Sequence, residues 1–99
     1  MKTLVIGAAI IDIIMKIKRL PKSGEDILCS ETVSTVGGCA YNVAGTLRGF
    51  DVDHDLFVPV GRGMYGDMIA GDLEKLGYRI LIREEESDNG YCPVSYTHL

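Results

Sequence analysis

Two groups of residues in this chain have types and spacing that can do chemistry. The first is Asp12, the pair Gly37-Gly38 and Asn42. Two glycines directly before a helix bare backbone N–H groups and let a ligand approach the main chain closely. An asparagine in the first helical turn both donates and accepts, which suits a polyhydroxyl ligand whose hydroxyls do the same. An aspartate closing an early strand can grip neighbouring hydroxyls with its two oxygens. Ligands of open α/β sheets gather beyond the carboxyl ends of the strands. The same residues also have a plain structural reading, as a turn carboxylate, a local cap and close-packing glycines. Spacing alone does not separate the two.

The second group is "VGRGMYG", Val60 to Gly66, in which Gly61, Gly63 and Gly66 fit G-x-G-x-x-G. The stretch follows an apolar run and opens a helix-like one, and Glu84 stands near the end of the next extended run, where a ribose-binding carboxylate belongs. A dinucleotide-dependent oxidoreductase is therefore one reading. Two features oppose it. The fingerprint normally follows the first strand of its sheet, and here that strand is followed by "AAIID". Asp67, directly after Gly66, would repel a pyrophosphate and is suited to capping the helix itself. The spacing predicts a compact strand-to-helix turn capped by Asp67. "DVDHD", at 51–55, has metal-ligand types but no partner cluster and reads as a solvated loop.

The elements that must position these residues follow from periodicity. Residues 3–10, "TLVIGAAI", are apolar without alternation and read as a strand covered on both faces, with Gly7 permitting a close approach. Residues 13–20 alternate as a strand with one wet face, "PKSGED" reads as a turn, and β-branched 27–36 read as a second exposed strand, so that a small flap follows the first core strand. A helix is predicted from just after Gly38 to near Gly49, with Gly45 inside it. "LFVPV" reads as the second core strand, irregular near Pro59. Residues 67–76 read as a second helix ending at Gly77, "YRILI" as a third core strand, and the "SDNG" turn leads into another extended piece. Strands alternating with helices imply a parallel α/β sheet with right-handed crossovers.

Composition narrows the function classes. Ninety-nine residues allow one domain at most. A net charge of −4, with no Trp and no basic patch, lacks a nucleic-acid footprint. The apolar start is cut by Asp12 and is too short to span a bilayer, so a membrane anchor is not expected. The three cysteines include no C-x-x-C pair and read as reduced thiols of a cytoplasmic protein.

At this point the residues carry a resemblance. "VIGAAIID", "PKSGED", "GGCAYNVAGTL" and "PVGRGMYGDMIAGDLEKLG" resemble, in order and spacing, the N-terminal third of the ribokinase-like sugar kinases, the PfkB carbohydrate kinase family, over about residues 3–92. The resemblance implies a partial three-layer α/β fold with a parallel core sheet and a small β lid formed by about 13–36 and 90–95. It implies transfer of the γ-phosphoryl group of ATP, with Mg²⁺, to a sugar or nucleoside hydroxyl. Asp12, Gly37, Gly38 and Asn42 would bind the acceptor, and the lid would shut out water and serve in a homodimer. The glycine stretch would be scaffold. Many members carry Asp where this chain has Gly63, so contacts from that position are in question. The family's late G-A-G-D motif, source of the catalytic base, does not occur in these residues. The chain is therefore expected to be the N-terminal part of a longer kinase, inactive alone and lacking the ATP-binding part. The remaining alternative is a non-catalytic sugar-binding or dimerising lid module. The resemblance does not choose among ribose, fructose phosphates, adenosine or pseudouridine.

Overall fold

The computed structural model describes residues 2–98. Its elements run β1 (Thr3–Ile6), β2 (Ile10–Lys16), β3 (Glu31–Gly37), α1 (Cys39–Gly49), β4 (His54–Phe57), α2 (Met64–Lys75) and β5 (Tyr91–Tyr96). They form two sheets. β1 and β4 pair in parallel, Thr3 opposite His54. β2 is the centre of a three-stranded sheet, antiparallel to β3 and parallel to β5. A radius of gyration of 16.0 Å exceeds the ~13 Å of a compact chain this long, because the three-stranded sheet projects from the body.

The core lies between the helices and both sheets. α1 buries Ala40 and Ala44, and α2 buries Ile69, Ala70 and Leu73 at helical spacing. They pack with Ile11, Leu56, Val58 and Val60. Small residues on α1 let it lie close to the strands. A β-carbon on Gly7 would stand 2.8 Å from that of Ala40, so glycine sets the approach of α1 there. Gly77, at φ 86°, ends α2 as expected. The N–H of Tyr78 reaches the Leu73 carbonyl and that of Gly77 reaches Glu74, a Schellman closure. The "PKSGED" turn forms too, with Gly24 at φ 75° and Arg19 clamping Glu25 through two bonds of 2.6 and 2.7 Å.

Three expectations are corrected. First, the run 3–10 is not one strand. The β1–β4 ladder ends with the Gly7 N–H on the Phe57 carbonyl, and after a break at 7–9 the chain joins the other sheet as β2. Asp12 therefore lies inside β2 and does not close the first core strand. Second, "YRILI", residues 78–82, is not a strand; the residue that follows it, Arg83, makes one isolated bridge to Val60. β4 has already ended at Phe57, so only Val60 offers an edge, and strand propensity without a partner edge is not realised. The Tyr78 hydroxyl turns instead to His54 Nε2, at 2.6 Å. Third, α2 starts at Met64, three residues earlier than expected, which puts Asp67 within the first turn and too late to cap. Its N–H bonds the Gly63 carbonyl and its carboxylate accepts from Arg83 at 2.6 Å. His54 and Asp55 of "DVDHD" likewise belong to β4, Asp55 pairing with Lys2 at 3.4 Å.

Candidate functional site

Asp12 stands mid-sheet in β2. Its neighbours on the chain, Ile11 and Ile13, point to the core side, Ile11 being fully buried, so Asp12 faces away from the core. Opposite it are Thr35 on β3 and Cys92 on β5, which share its face. Diagonal to it is Gly37, and this is the decisive local fact. The Asp12 carboxylate lies over the bare α-carbon of Gly37, in space that a β-carbon there would invade. Glycine at 37 lets the carboxylate lean toward the end of β3, where the chain passes into α1.

Gly38 is the N-cap of α1, with φ 101° and ψ 153°. A side chain there is excluded twice, by the positive φ and by the Ala8 carbonyl oxygen, which a β-carbon would meet at 2.6 Å. No side chain of the N-cap residue closes this end of the helix, so its first N–H groups have no cap from that residue. Asn42 closes the first turn by its own N–H on the Gly38 carbonyl at 3.0 Å. Its side chain is exposed and makes no hydrogen bond among the described residues, which rules out the local-cap reading. The structure thus joins Asp12 directly to Gly37, sets Gly38 beside them and leaves the Asn42 amide unused one turn along α1. A hollow of about 560 Å³ lies elsewhere, lined by Leu4, Ile6, Tyr78 and Leu81 among others, and includes none of these residues.

The glycine stretch has a different use. Gly61, Gly63 and Gly66 surround the Ser87–Asp88 turn. A β-carbon on Gly61 would come within 2.8 Å of the Asp88 main chain, one on Gly63 within 2.5 Å of the Asp88 carboxylate, and one on Gly66 against the Gly61 carbonyl. Asp88 fills the start of α2, accepting from the N–H groups of Gly66 at 2.6 Å and Tyr65 at 3.2 Å. Burial, the largest single influence, pushes the Asp88 carboxyl up. The N–H groups of Gly66, Asn89 and Tyr65 together outweigh it and hold the carboxyl below its ordinary range. A resident carboxylate thus takes the position that a dinucleotide phosphate would need, and the oxidoreductase reading fails on it.

Residues 1–95 match the model of the pfkB family carbohydrate kinases. The chain belongs to that family. It is 38% identical over 89 residues to the uncharacterized sugar kinase YegV of Escherichia coli strain K12, covering 90% of this chain and 28% of that protein. The ribokinase of Giardia lamblia superposes with a TM-score of 0.83 at 24% identity, over 95% of this chain and 31% of its own. A nucleoside kinase of Methanocaldococcus jannaschii, an archaeal member of the ribokinase family, gives 0.81 at 21% identity, over 98% and 33%. The chain therefore spans about a third or less of the length of these proteins, and its architecture is a partial ribokinase-like α/β fold. Carbohydrate kinases of this family use ATP.

The sequence reading missed Asp88 and Asn89. The signal was the "SDNG" turn itself: a carboxylate and an amide ahead of a strand, with three distant glycines whose purpose was otherwise open.

Proposed function

We propose that this chain is the acceptor-binding part of a longer kinase that moves the γ-phosphoryl group of ATP to a hydroxyl of a sugar or nucleoside. The single observation behind this reading is the Asp12 carboxylate leaning over Gly37 toward the glycine-capped start of α1. A carboxylate accepting from two vicinal hydroxyls, next to bare main chain, is selective for a polyol. Asn42, unused within the fold, would add a donor and an acceptor. The face bearing Asp12 continues into Ile14, flanked in register by Val33 and Val94. This apolar stretch suits a lid that covers the acceptor and excludes water, and it is equally suited to meet a second copy in a homodimer. No group of three or more His, Cys, Asp or Glu side chains fit to hold a metal occurs among the described residues. No helix among the described residues is long and apolar enough to cross a membrane. The three free thiols and the need for ATP suit a cytoplasmic enzyme.

The test is a coupled ATP-consumption assay of the full polypeptide against ribose, fructose, fructose phosphates, adenosine and pseudouridine. Turnover is expected with at least one. Asp12→Ala should raise the KM for that acceptor by about ten- to a hundredfold, the worth of a charge-assisted hydrogen bond. Absence of turnover with every acceptor, or an unchanged KM in the variant, would refute the proposal.

A further inference from the structure

The Asn89 side chain makes contacts that no helix cap requires. Its Oδ1 accepts from the Gly61 N–H at 2.6 Å. Its Nδ2 donates to two carbonyls, Ala9 at 3.2 Å and Pro59 at 3.1 Å. These partners come from three separate places: the break between β1 and β2, the chain after β4, and the glycine turn before α2. The amide spends its acceptor and both of its donated bonds on main chain. Directly after it, the Gly90 carbonyl accepts from the Ile11 N–H at 3.1 Å. One short turn therefore ties the end of the 7–9 break and the start of β2 to the chain that follows β4.

That break backs the candidate site. The Ala8 carbonyl and the Ala9 α-carbon are the atoms that a β-carbon on Gly38 would strike, at 2.6 and 3.1 Å. Ala9 is buried, and Asp12 follows three residues later on β2. A shift of the break would move the support of Gly38 and the root of β2 together. We propose that Asn89 is a positioning residue for acceptor binding, acting through the Ala8–Ala9 main chain, which backs Gly38, to set Asp12 against the Gly37-Gly38 pair. This rests on the kinase reading above, and it deepens it by naming what holds the two sheets in register at the site. Asn89 itself points into the scaffold and is not a substrate contact.

Two variants separate its parts. Asn89→Asp keeps an acceptor for Gly61 and loses both donors, so it frees Ala9 and Pro59 selectively. Asn89→Ala removes all three bonds. In the full polypeptide, both should raise the KM for the acceptor by about tenfold or more, since small misplacements at a site are costly, and leave the KM for ATP within about twofold. Loss of folded protein would instead lower kcat and leave both KM values unchanged, and that pattern overturns the proposal. A second measurement does not need activity. In amide-resolved NMR spectra of the full polypeptide, Asn89→Asp should shift the resonances of Asp12, Gly37 and Gly38 as well as those near Gly61. Changes confined to residues 59–66 would also overturn it. Should the full polypeptide phosphorylate nothing, the kinase reading falls, while the spectra still decide whether Asn89 controls the site.

Discussion

Two glycines of α2 should respond to alanine with opposite sign. Gly71 lies inside the helix, exposed, with nothing within 4 Å of a β-carbon built on it. Gly71→Ala should therefore stabilise the fold by about 0.5–1 kcal/mol, the helix penalty that glycine carries. Gly66→Ala collects the same helical gain, but its β-carbon runs into the Gly61 carbonyl group, whose carbon would lie 2.5 Å away. That obstacle is main chain, and the turn must open to relieve it. Overpacking of this kind costs about 1–3 kcal/mol, and opening the turn also draws the Gly66 N–H from Asp88. The net expectation is a loss of about 1–2 kcal/mol, and a separation of about 2 kcal/mol between the variants. For a chain of this length each kcal/mol moves the melting temperature by about 4–8 °C, so their midpoints should stand roughly 10 °C apart, on either side of the parent. Thermal unfolding followed by far-ultraviolet circular dichroism, at one pH and protein concentration, reads this directly. A Gly66→Ala protein that melts at or above the parent would show that the turn does not need glycine for packing, and would remove the structural account of the G-x-G-x-x-G stretch.

The other expectations concern pH. Burial, with the Asp72 carboxylate that accepts its hydroxyl as the second cause, pushes Tyr41 up to about 12. A tyrosine raised above its unfolded value of about 10 contributes stability that is complete below pH ~10 and lost as pH rises toward 12. The side chain is only partly buried, so solvent screening reduces the nominal gain to about 1 kcal/mol. Ultraviolet absorbance titration should show one of the five tyrosines ionising late, and Tyr41→Phe should remove both that step and the alkaline loss; five tyrosines titrating together would contradict it. Asp88 has the opposite sign. Its lowered carboxyl contributes stability that is present above the ordinary carboxylate range and is lost as pH falls through its folded value. Asp88→Asn should flatten the acid side of the stability curve, and an unchanged acid limb in urea unfolding would count against the cap.

Much of the fold was legible because it rests on local periodicity. α1 starts after Gly38 and ends at Gly49, as its spacing predicts, and Gly77 stops α2. Of the run 27–36 only the part from Glu31 onward forms a strand, β3, and the piece after "SDNG" forms β5. What was not legible depends on partners distant in the chain. Nothing local says that the apolar run 3–10 breaks at Gly7, where Ala40 of α1 lies against the glycine. "YRILI" has every local mark of a strand, and lacks a neighbour once β4 ends at Phe57. The cap of α2 comes from Asp88, more than twenty residues downstream, where proximity along the sequence favoured Asp67. At the candidate site, residue types pointed to Asp12 and the two glycines. The way they meet, diagonally across an antiparallel pair, needed the register of β2 on β3.

The same distant pairing accounts for the glycine at position 63. Gly63, the N-cap of α2, brings no acidic group of its own to the positive end of the helix. The Asp88 carboxylate lies within 2.5 Å of where a Gly63 β-carbon would sit. The negative charge is therefore present, delivered from the turn before β5 in place of the turn before α2. An aspartate at 63 would now collide with Asp88 and repel it, so the two positions are coupled: one carboxylate fits and two do not. The consequence reaches past the helix cap. Because Asp88 is anchored at α2, Asn89 is held where it can bind Ala9, Pro59 and Gly61, and β5 departs from a fixed point to pair with the strand that carries Asp12. A carboxylate supplied from the turn before β5 links the glycine turn physically to the three-stranded sheet.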